Sequence, residues 1–355
     1  MNKNGENTYK EIFSQPQVWG DTLQAFQSQK GMFDHIWQEK PVDLVIFTGC
    51  GSTYYLSLTA AALVQHLTGI AAQARPASEL VLFPELTFPK GKRVILVTIS
   101  RSGETSETIL ALQTFRQRVN GNVIAITCNS QSTLAKEADF AFSSDAAQEN
   151  SIAQTRSFTS MTILVEALAA HLANLDTNDT LNPLPSTCQR LLDEYHAMAK
   201  TLGEADHIQR FFFLGAGYLY GIAAEAMLKM KEMSLAYSEA FHPLEFRHGP
   251  MSMVSNQSLV VGLLSKNAYA QEIAVLNQMY GLGGNILVLV EDDQPKFTKS
   301  YHVVRFKSGT PPWAQPVLYL PILQLIAYYR SLYNNQNPDQ PQNLSAVVTL
   351  ETLSS

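Results

Sequence analysis

Cysteine is scarce in this 355-residue chain, and the three that occur, Cys50, Cys128 and Cys188, are widely spaced and show no metal-ligand spacing. A disulfide scaffold and a cysteine-ligated zinc site are thereby excluded. Cys50 and Cys128 each follow an apolar run, and all three are expected as reduced thiols in a cytoplasmic protein. Charge is also sparse. Asp, Glu, Lys and Arg make up 16% of the chain, against about 25% in ordinary soluble domains, so part of the surface is expected to be buried in an oligomer. The net charge of -6 does not recommend nucleic acid as a partner. Long apolar runs are missing too. The longest, PVLYLPILQLIAYY from Pro316, is too short for a membrane span and carries prolines and a glutamine, so it reads as a buried helix. The polar start, MNKNGENTYKEIFSQ, has no signal-peptide core.

What is present is a repeat. DLVIFTGCGSTYYLSLTAAALVQHLTG from Asp43 and QRFFFLGAGYLYGIAAEAMLKMKEMS from Gln209 each read as an apolar strand, a Gly-x-Gly turn and a helix. RVILVTIS, ending at Ser100, corresponds to SLVVGLLS, ending at Ser265, and NVIAITCN from Asn122 to NILVLVED from Asn285. The offset stays near 165 residues, as from Ser100 to Ser265. Strand–helix alternation of this kind predicts two tandem doubly wound parallel sheets, each a three-layer α/β/α domain. The 46% hydrophobic content suffices for two cores. The expected layout is an N-terminal helical segment (1–40), a first domain (41–172), a linker and helix (173–200), a second domain (201–334) and a tail (335–355). The polar stretch from Leu172 to Thr187 is the expected link.

Ligands of such folds sit at the carboxyl ends of the strands. There, in ILVTISRSGETSETI, the buried run Ile95–Ile99 meets Ser100, Arg101, Ser102, Gly103, Glu104 and Thr105. Three hydroxyls, a glycine that lets the backbone approach and a following helix N-terminus suit a dianionic phosphate. A helix N-cap is the plainer alternative. Three hydroxyls around one glycine exceed what a cap needs, so phosphate binding is the reading carried forward. The Gly49–Thr53 turn, GCGST, lacks the third glycine of a dinucleotide fingerprint and the lysine of a P-loop. It fits a sugar hydroxyl or a second face of the phosphate pocket, through Ser52 and Thr53.

The second half has KNAYAQE after Ser265, without glycine or a hydroxyl cluster, and so is expected to have lost the anion loop. Its helix instead carries Glu225, Lys229 and Glu232 at i, i+4 and i+7, on one face. A solvated ion pair is the ordinary reading. The surrounding Ala226, Met227, Leu228, Met230 and Met233 leave little solvated surface, so these charges are expected half-buried and suited to proton transfer. HPLEFRHGPMSMV then gathers His242, Glu245, Arg247 and His248 before a Gly-Pro turn, and His248 is a better functional candidate than His35 or His66.

TISRSGETSETI, QENSIAQTRSFTS from Gln148, AEAMLKMKE from Ala224, EFRHGP from Glu245 and DQPQNLSAVVTLE from Asp339 together resemble the double-SIS (sugar isomerase) family. That family includes the isomerase half of glutamine–fructose-6-phosphate aminotransferase, and deaminases, deglycases and ketose–aldose isomerases of phosphosugars. The resemblance implies that Ser100, Arg101, Ser102 and Thr105 hold the phosphate, with Cys50, Ser52 and Thr53 also contacting the sugar phosphate. It implies that Ile152, Ala153 and Gln154 line the sugar, Gln154 standing where the synthase has serine. Glu232 matches the carboxylate that moves a proton between C1 and C2, supported by Lys229 and Glu225. His248 matches the ring-opening histidine, which the family supplies from the neighbouring subunit, implying a homodimer with shared active sites. Two departures are expected to matter. Asn2 and the short segment before the first strand leave no glutamine-hydrolysing domain, and Ala346 replaces the synthase's imine-forming lysine.

The expected function is isomerisation or deamination of a 6-phosphosugar or amino-sugar 6-phosphate, without glutamine hydrolysis, metal or other cofactor. The competing class is a non-catalytic sugar-phosphate regulator or sensor. No DNA-binding segment accompanies the chain, and Glu232 and His248 are both present, which favours the enzyme.

Overall fold

A computed structural model describes residues 4–37, 41–293, 296–297 and 299–345. Two helices come first, α1 (Glu6–Phe13) and α2 (Gln15–Trp37). Then follow β1 (Leu44–Gly49), α3 (Ser52–Thr68), β2 (Ala72–Pro76), α4 (Ala77–Leu82), α5 (Pro84–Thr87), β3 (Val94–Ser100) and α6 (Ser106–Arg118). β4 (Val123–Thr127), α7 (Thr133–Glu137), β5 (Phe140–Ser143) and α8 (Arg156–Leu172) complete the first half. α9 (Asn178–Leu181) and α10 (Leu184–Gly203) lead to β6 (Arg210–Gly215), α11 (Leu219–Ser234), β7 (Tyr237–Phe241) and α12 (Pro243–Phe246). β8 (Ser258–Leu263), α13 (Tyr269–Gly281), β9 (Asn285–Val290), β10 (His302–Arg305) and α14 (Leu320–Tyr333) close the order.

The five strands of the first half form one parallel sheet in the order β2-β1-β3-β4-β5. Those of the second half repeat it as β7-β6-β8-β9-β10, also parallel. Helices flank each sheet, giving two tandem three-layer α/β/α domains. In this order the chain reverses direction between the first and third strands of each sheet, so the β1/β3 and β6/β8 carboxyl ends are the switch points where ligands bind.

Two compact units result. One comprises Gln17–Glu149 and Arg156–Asn178 with the first sheet; the other comprises the residues through Pro16, Asn150–Thr155 and Asp179–Leu344 with the second. β3 is buried along its whole length because its β-branched and apolar side chains face helices on both sides. Leu96, Ala111, Leu112, Phe115 and Val123 pack together in the first unit. Phe212, Leu214, Val260, Met279 and Val288 do so in the second. Each large apolar side chain so buried contributes roughly 1.5–3 kcal/mol.

The polar link is more ordered than its composition predicts. It holds α9 and the start of α10, with proline placed in the first turn of α10, where its missing N–H costs nothing. The apolar run from Pro316 is a 3₁₀ turn leading into α14, which is buried. Among the described residues no helix is long and apolar enough to cross a membrane.

Candidate functional site

In the first unit, β1 and β3 deliver two loops to the switch point. Ser100 ends β3 and is buried. Its hydroxyl accepts the Gly103 N–H at 3.1 Å and lies 3.3 Å from the Thr105 hydroxyl. The Ser102 hydroxyl accepts the Glu104 N–H at 3.1 Å. Gly103 takes φ +67°, and a Cβ there would lie 2.1 Å from the Ser132 hydroxyl, so only glycine fits. Thr105 occupies the N-cap of α6, yet its side chain makes no capping bond. The helix N-terminus is therefore left open to an anion rather than closed by its own threonine.

Arg101 is turned inward. Its Nη1 lies 3.7 Å from the carboxylate of Glu149, which is fully buried and also accepts the Ser157 hydroxyl. The Arg101 carbonyl accepts the Cys128 N–H at 3.1 Å. Arg101 thus ties the loop to the neighbouring strand end. In the other loop, the Thr53 hydroxyl accepts the Cys50 N–H and donates to the Cys50 carbonyl, both at 3.0 Å, and so shapes the turn. Ser52 is buried beside it. Burial pushes the Cys50 thiol up to about 11, Thr108 partly opposing and the Glu107 charge adding, so the thiol stays protonated at neutral pH.

In the second unit, α11 carries Glu225, Lys229 and Glu232 on one face. Lys229 Nζ lies 3.4 Å from Glu225 and bonds to Glu232. Burial exceeds the sequence expectation: the Glu225 and Lys229 side chains are 0% and 1% exposed, whereas Glu232 is 19% exposed. Only Glu232 of the three reaches solvent. α14 packs against α11 and contributes to this burial.

Ile152, Ala153 and Gln154 lie on a strip of the same unit that the protein holds from several sides. Glu11 accepts the N–H groups of Asn150 and Ser151 at 2.7 and 3.2 Å. The Asp339 carbonyl accepts the Ile152 N–H at 3.0 Å, and its carboxylate accepts the Thr8 N–H and hydroxyl at 2.8 and 2.7 Å. Gln324 donates to the Thr155 carbonyl at 3.2 Å. Among the described residues the Gln154 Oε1 is buried with no hydrogen-bond partner. Glu11, Asp339 and Glu149 escaped the sequence reading, because an isolated carboxylate has no spacing signal.

His248 follows α12 in an exposed turn. His242 stacks on Tyr220 with 4.0 Å between ring centres. Partial burial lowers its pKa, with the Glu245 charge opposing. Ala346 lies outside the described residues. Among the described residues no group of three or more His, Cys, Asp or Glu side chains could hold a metal ion.

The equivalent switch point of the second unit is filled from within. Glu272 on α13 accepts the Ser265 N–H at 2.8 Å and its hydroxyl at 3.0 Å. A carboxylate of the chain thus occupies the donors that correspond to the first unit's Ser100 end.

Residues 40–171 and 206–332 match the SIS domain family. A glutamine–fructose-6-phosphate aminotransferase (isomerizing) of Legionella pneumophila strain Lens is 30% identical over 360 residues, 96% of this chain and 58% of that protein. The chain therefore spans little more than half the length of such relatives. The structure of tagatose-6-phosphate ketose/aldose isomerase from Escherichia coli matches with a TM-score of 0.86 at 22% identity, covering 99% of this chain and 98% of that one. Glucosamine-6-phosphate deaminase from Thermotoga maritima matches with a TM-score of 0.72 at 27% identity, covering 93% and 100%. This chain belongs to the SIS domain family, with two copies of the domain in tandem.

Proposed function

We propose that the chain is a phosphosugar enzyme that moves a proton between C1 and C2 of a 6-phosphosugar or amino-sugar 6-phosphate. The observation that carries this reading is the Glu225–Lys229–Glu232 set, in which Glu232 alone is open to solvent. Aldose–ketose interconversion needs one base to take a proton α to a carbonyl and return it to the neighbouring carbon, and a carboxylate does both. Lys229 bonds to Glu232 and orients its carboxylate, and Glu225 holds Lys229 in place.

Ser100, Ser102 and Thr105 are the proposed phosphate ligands, with the N-terminus of α6. Arg101 holds the loop through Glu149, and Cys50, Ser52 and Thr53 border the sugar. Ile152, Ala153 and Gln154 line it, kept in position by Glu11 and Asp339. His248 opens the ring across a homodimer, in keeping with the family. An alanine at 346 offers no amine for an imine, so the chemistry runs without covalent attachment. For an amino sugar, the C2 proton moves to C1, water adds to the resulting C2 imine and ammonia leaves with a ketose phosphate as co-product.

The test is incubation with glucosamine 6-phosphate, assaying ammonia and fructose 6-phosphate together. Deamination gives both in equal amounts, and isomerisation of a neutral phosphosugar gives a ketose–aldose pair without ammonia. Thermal stabilisation by phosphosugars with no turnover across a phosphosugar panel would establish a sensor instead.

A further inference from the structure

The first unit has a second polar recess, at the opposite end of its sheet from the hydroxyl loop. A cleft of about 460 Å³ opens where the chain enters β3 and β4, lined by Lys92, Arg93, Arg116, Asn120, Gly121 and Asn122. Gly121 forms its floor by packing on β3: a Cβ there would lie 2.1 Å from the Val94 carbonyl oxygen, so no other residue fits without a shift.

A recess of the second unit, where the chain enters β9 and β10, has about 340 Å³ and is lined by Tyr280, Gly283, Gly284, Asn285, Ile286, Ser300 and His302. Among the described residues that lining holds no arginine or lysine. A glycine precedes the fourth strand in both units, Gly121 and Gly284, and in the first unit Lys92, Arg93 and Arg116 surround it.

Their charges are not equally spent. Lys92 lies 3.5 Å from Asp43, and Arg116 donates to Asp139 at 2.8 Å and to the Glu137 carbonyl at 3.2 Å. Arg93 forms no ion pair among the described residues, and its buried Nη1 has no hydrogen-bond acceptor. A guanidinium N–H withdrawn from water without an acceptor is costly, and buried donors of this kind are rare unless something arrives to accept them. Arginine is also the side chain whose donor fork matches phosphate oxygens.

We propose that this cleft is a second anion site, taking a phosphate monoester: the dianion meets Arg93, with Lys92 and Arg116 at the rim and the amides of Asn120 and Asn122 available to hydroxyls of the attached group. Lying at the amino ends of the strands, it is separate from the hydroxyl loop. It binds a small phosphorylated metabolite as an effector, not as a substrate.

The test uses the whole chain and inorganic phosphate, followed by the backbone amide resonances of Gly121 and Asn122 for the cleft and of Gly103 for the loop. Phosphate should shift Gly121 and Asn122 in wild type and equally in Ser102→Ala, where the loop is impaired. The shift should fall at least tenfold in apparent affinity in Arg93→Gln. The same loss is expected in Asn120→Asp, an exposed substitution that leaves the fold intact and adds a negative charge. Acetate at the same concentration should leave these amides in place. Amides of Gly121 and Asn122 that ignore phosphate, or respond to it undiminished in both Arg93→Gln and Asn120→Asp, would overturn the assignment. Movement of Gly103 alone would confine phosphate to the loop.

Discussion

The carboxylate of Asp339 accepts the hydroxyl of Thr8 at 2.7 Å, across 331 residues of sequence. The same carboxylate takes the backbone N–H groups of Asn7 and Thr8, and lies 3.4 Å from the Ser151 hydroxyl. One acidic side chain thereby joins α1, the chain after α14 and the strip that carries Ile152, Ala153 and Gln154. Replacing Asp339 with Ala strands several buried donors at once, at about 1–3 kcal/mol for each left unsatisfied. Asp339→Ala is expected to lower the urea midpoint and to speed exchange of the Ile152 amide, with Asp339→Asn intermediate. A wild-type midpoint in Asp339→Ala would mean that the strip is held by other contacts.

The hydroxyl loop gives a binding prediction. Ser102→Ala removes one donor of the proposed phosphate cradle while leaving Ser100 and Thr105 paired. A charge-assisted hydrogen bond is worth roughly 1.5–3 kcal/mol, so phosphosugar affinity should fall about 10- to 150-fold. Calorimetry with a non-reacting phosphosugar measures it. Unchanged affinity in both Ser102→Ala and Thr105→Ala would reduce the loop to a helix start.

Glu272 gives a pH prediction. Burial lifts its carboxyl from 4.5 to about 7, with the Ser265 hydrogen bonds opposing. Between those two values the folded chain holds a proton that the unfolded chain has released, so stability falls as pH rises through the window. The full effect is on the order of 3 kcal/mol. Glu272→Gln can still accept the Ser265 N–H through its amide oxygen and removes the titration, so its stability should be flatter from pH 4.5 to 7 than that of wild type. Parallel stability curves for the two proteins would contradict this.

Cysteine chemistry offers a fourth check. With Cys50 pushed up to about 11 and Cys128 and Cys188 fully buried, about one Cys50 in a thousand is thiolate at pH 8. Iodoacetamide labelling of the native chain should be slow at pH 8 and accelerate steeply above pH 10. Rapid labelling of Cys50 at pH 7 would show an activated thiol.

Much of this architecture was legible in the sequence because it is written in local periodicity. β3, β4, β8 and β9 are continuous apolar runs, and the matching Gly-x-Gly turns before α3 and α11 fix the repeat. Edge strands were harder: β2 reads AQARP and is mostly half-exposed, so it carries no apolar signal. Ser100, Ser102 and Thr105 stand close together in sequence and announce themselves. Glu149 under Arg101, Glu272 under Ser265, and Glu11 with Asp339 around the 150–155 strip do not, because each partner is chosen by the fold and not by spacing. The burial of Lys229 was underestimated for the same reason: the helices that cover α11 lie far away in sequence.

The central claim concerns Glu232, and exchange of the substrate's C2 hydrogen with solvent tests it most directly. Wild-type protein incubated with a turned-over phosphosugar in deuterium oxide should incorporate deuterium at C2. Glu232→Gln keeps the shape and removes the basicity, and should lower both exchange and turnover by a factor of about 100 or more, with substrate affinity little changed. Full C2 exchange in Glu232→Gln would place the base elsewhere and contradict the account.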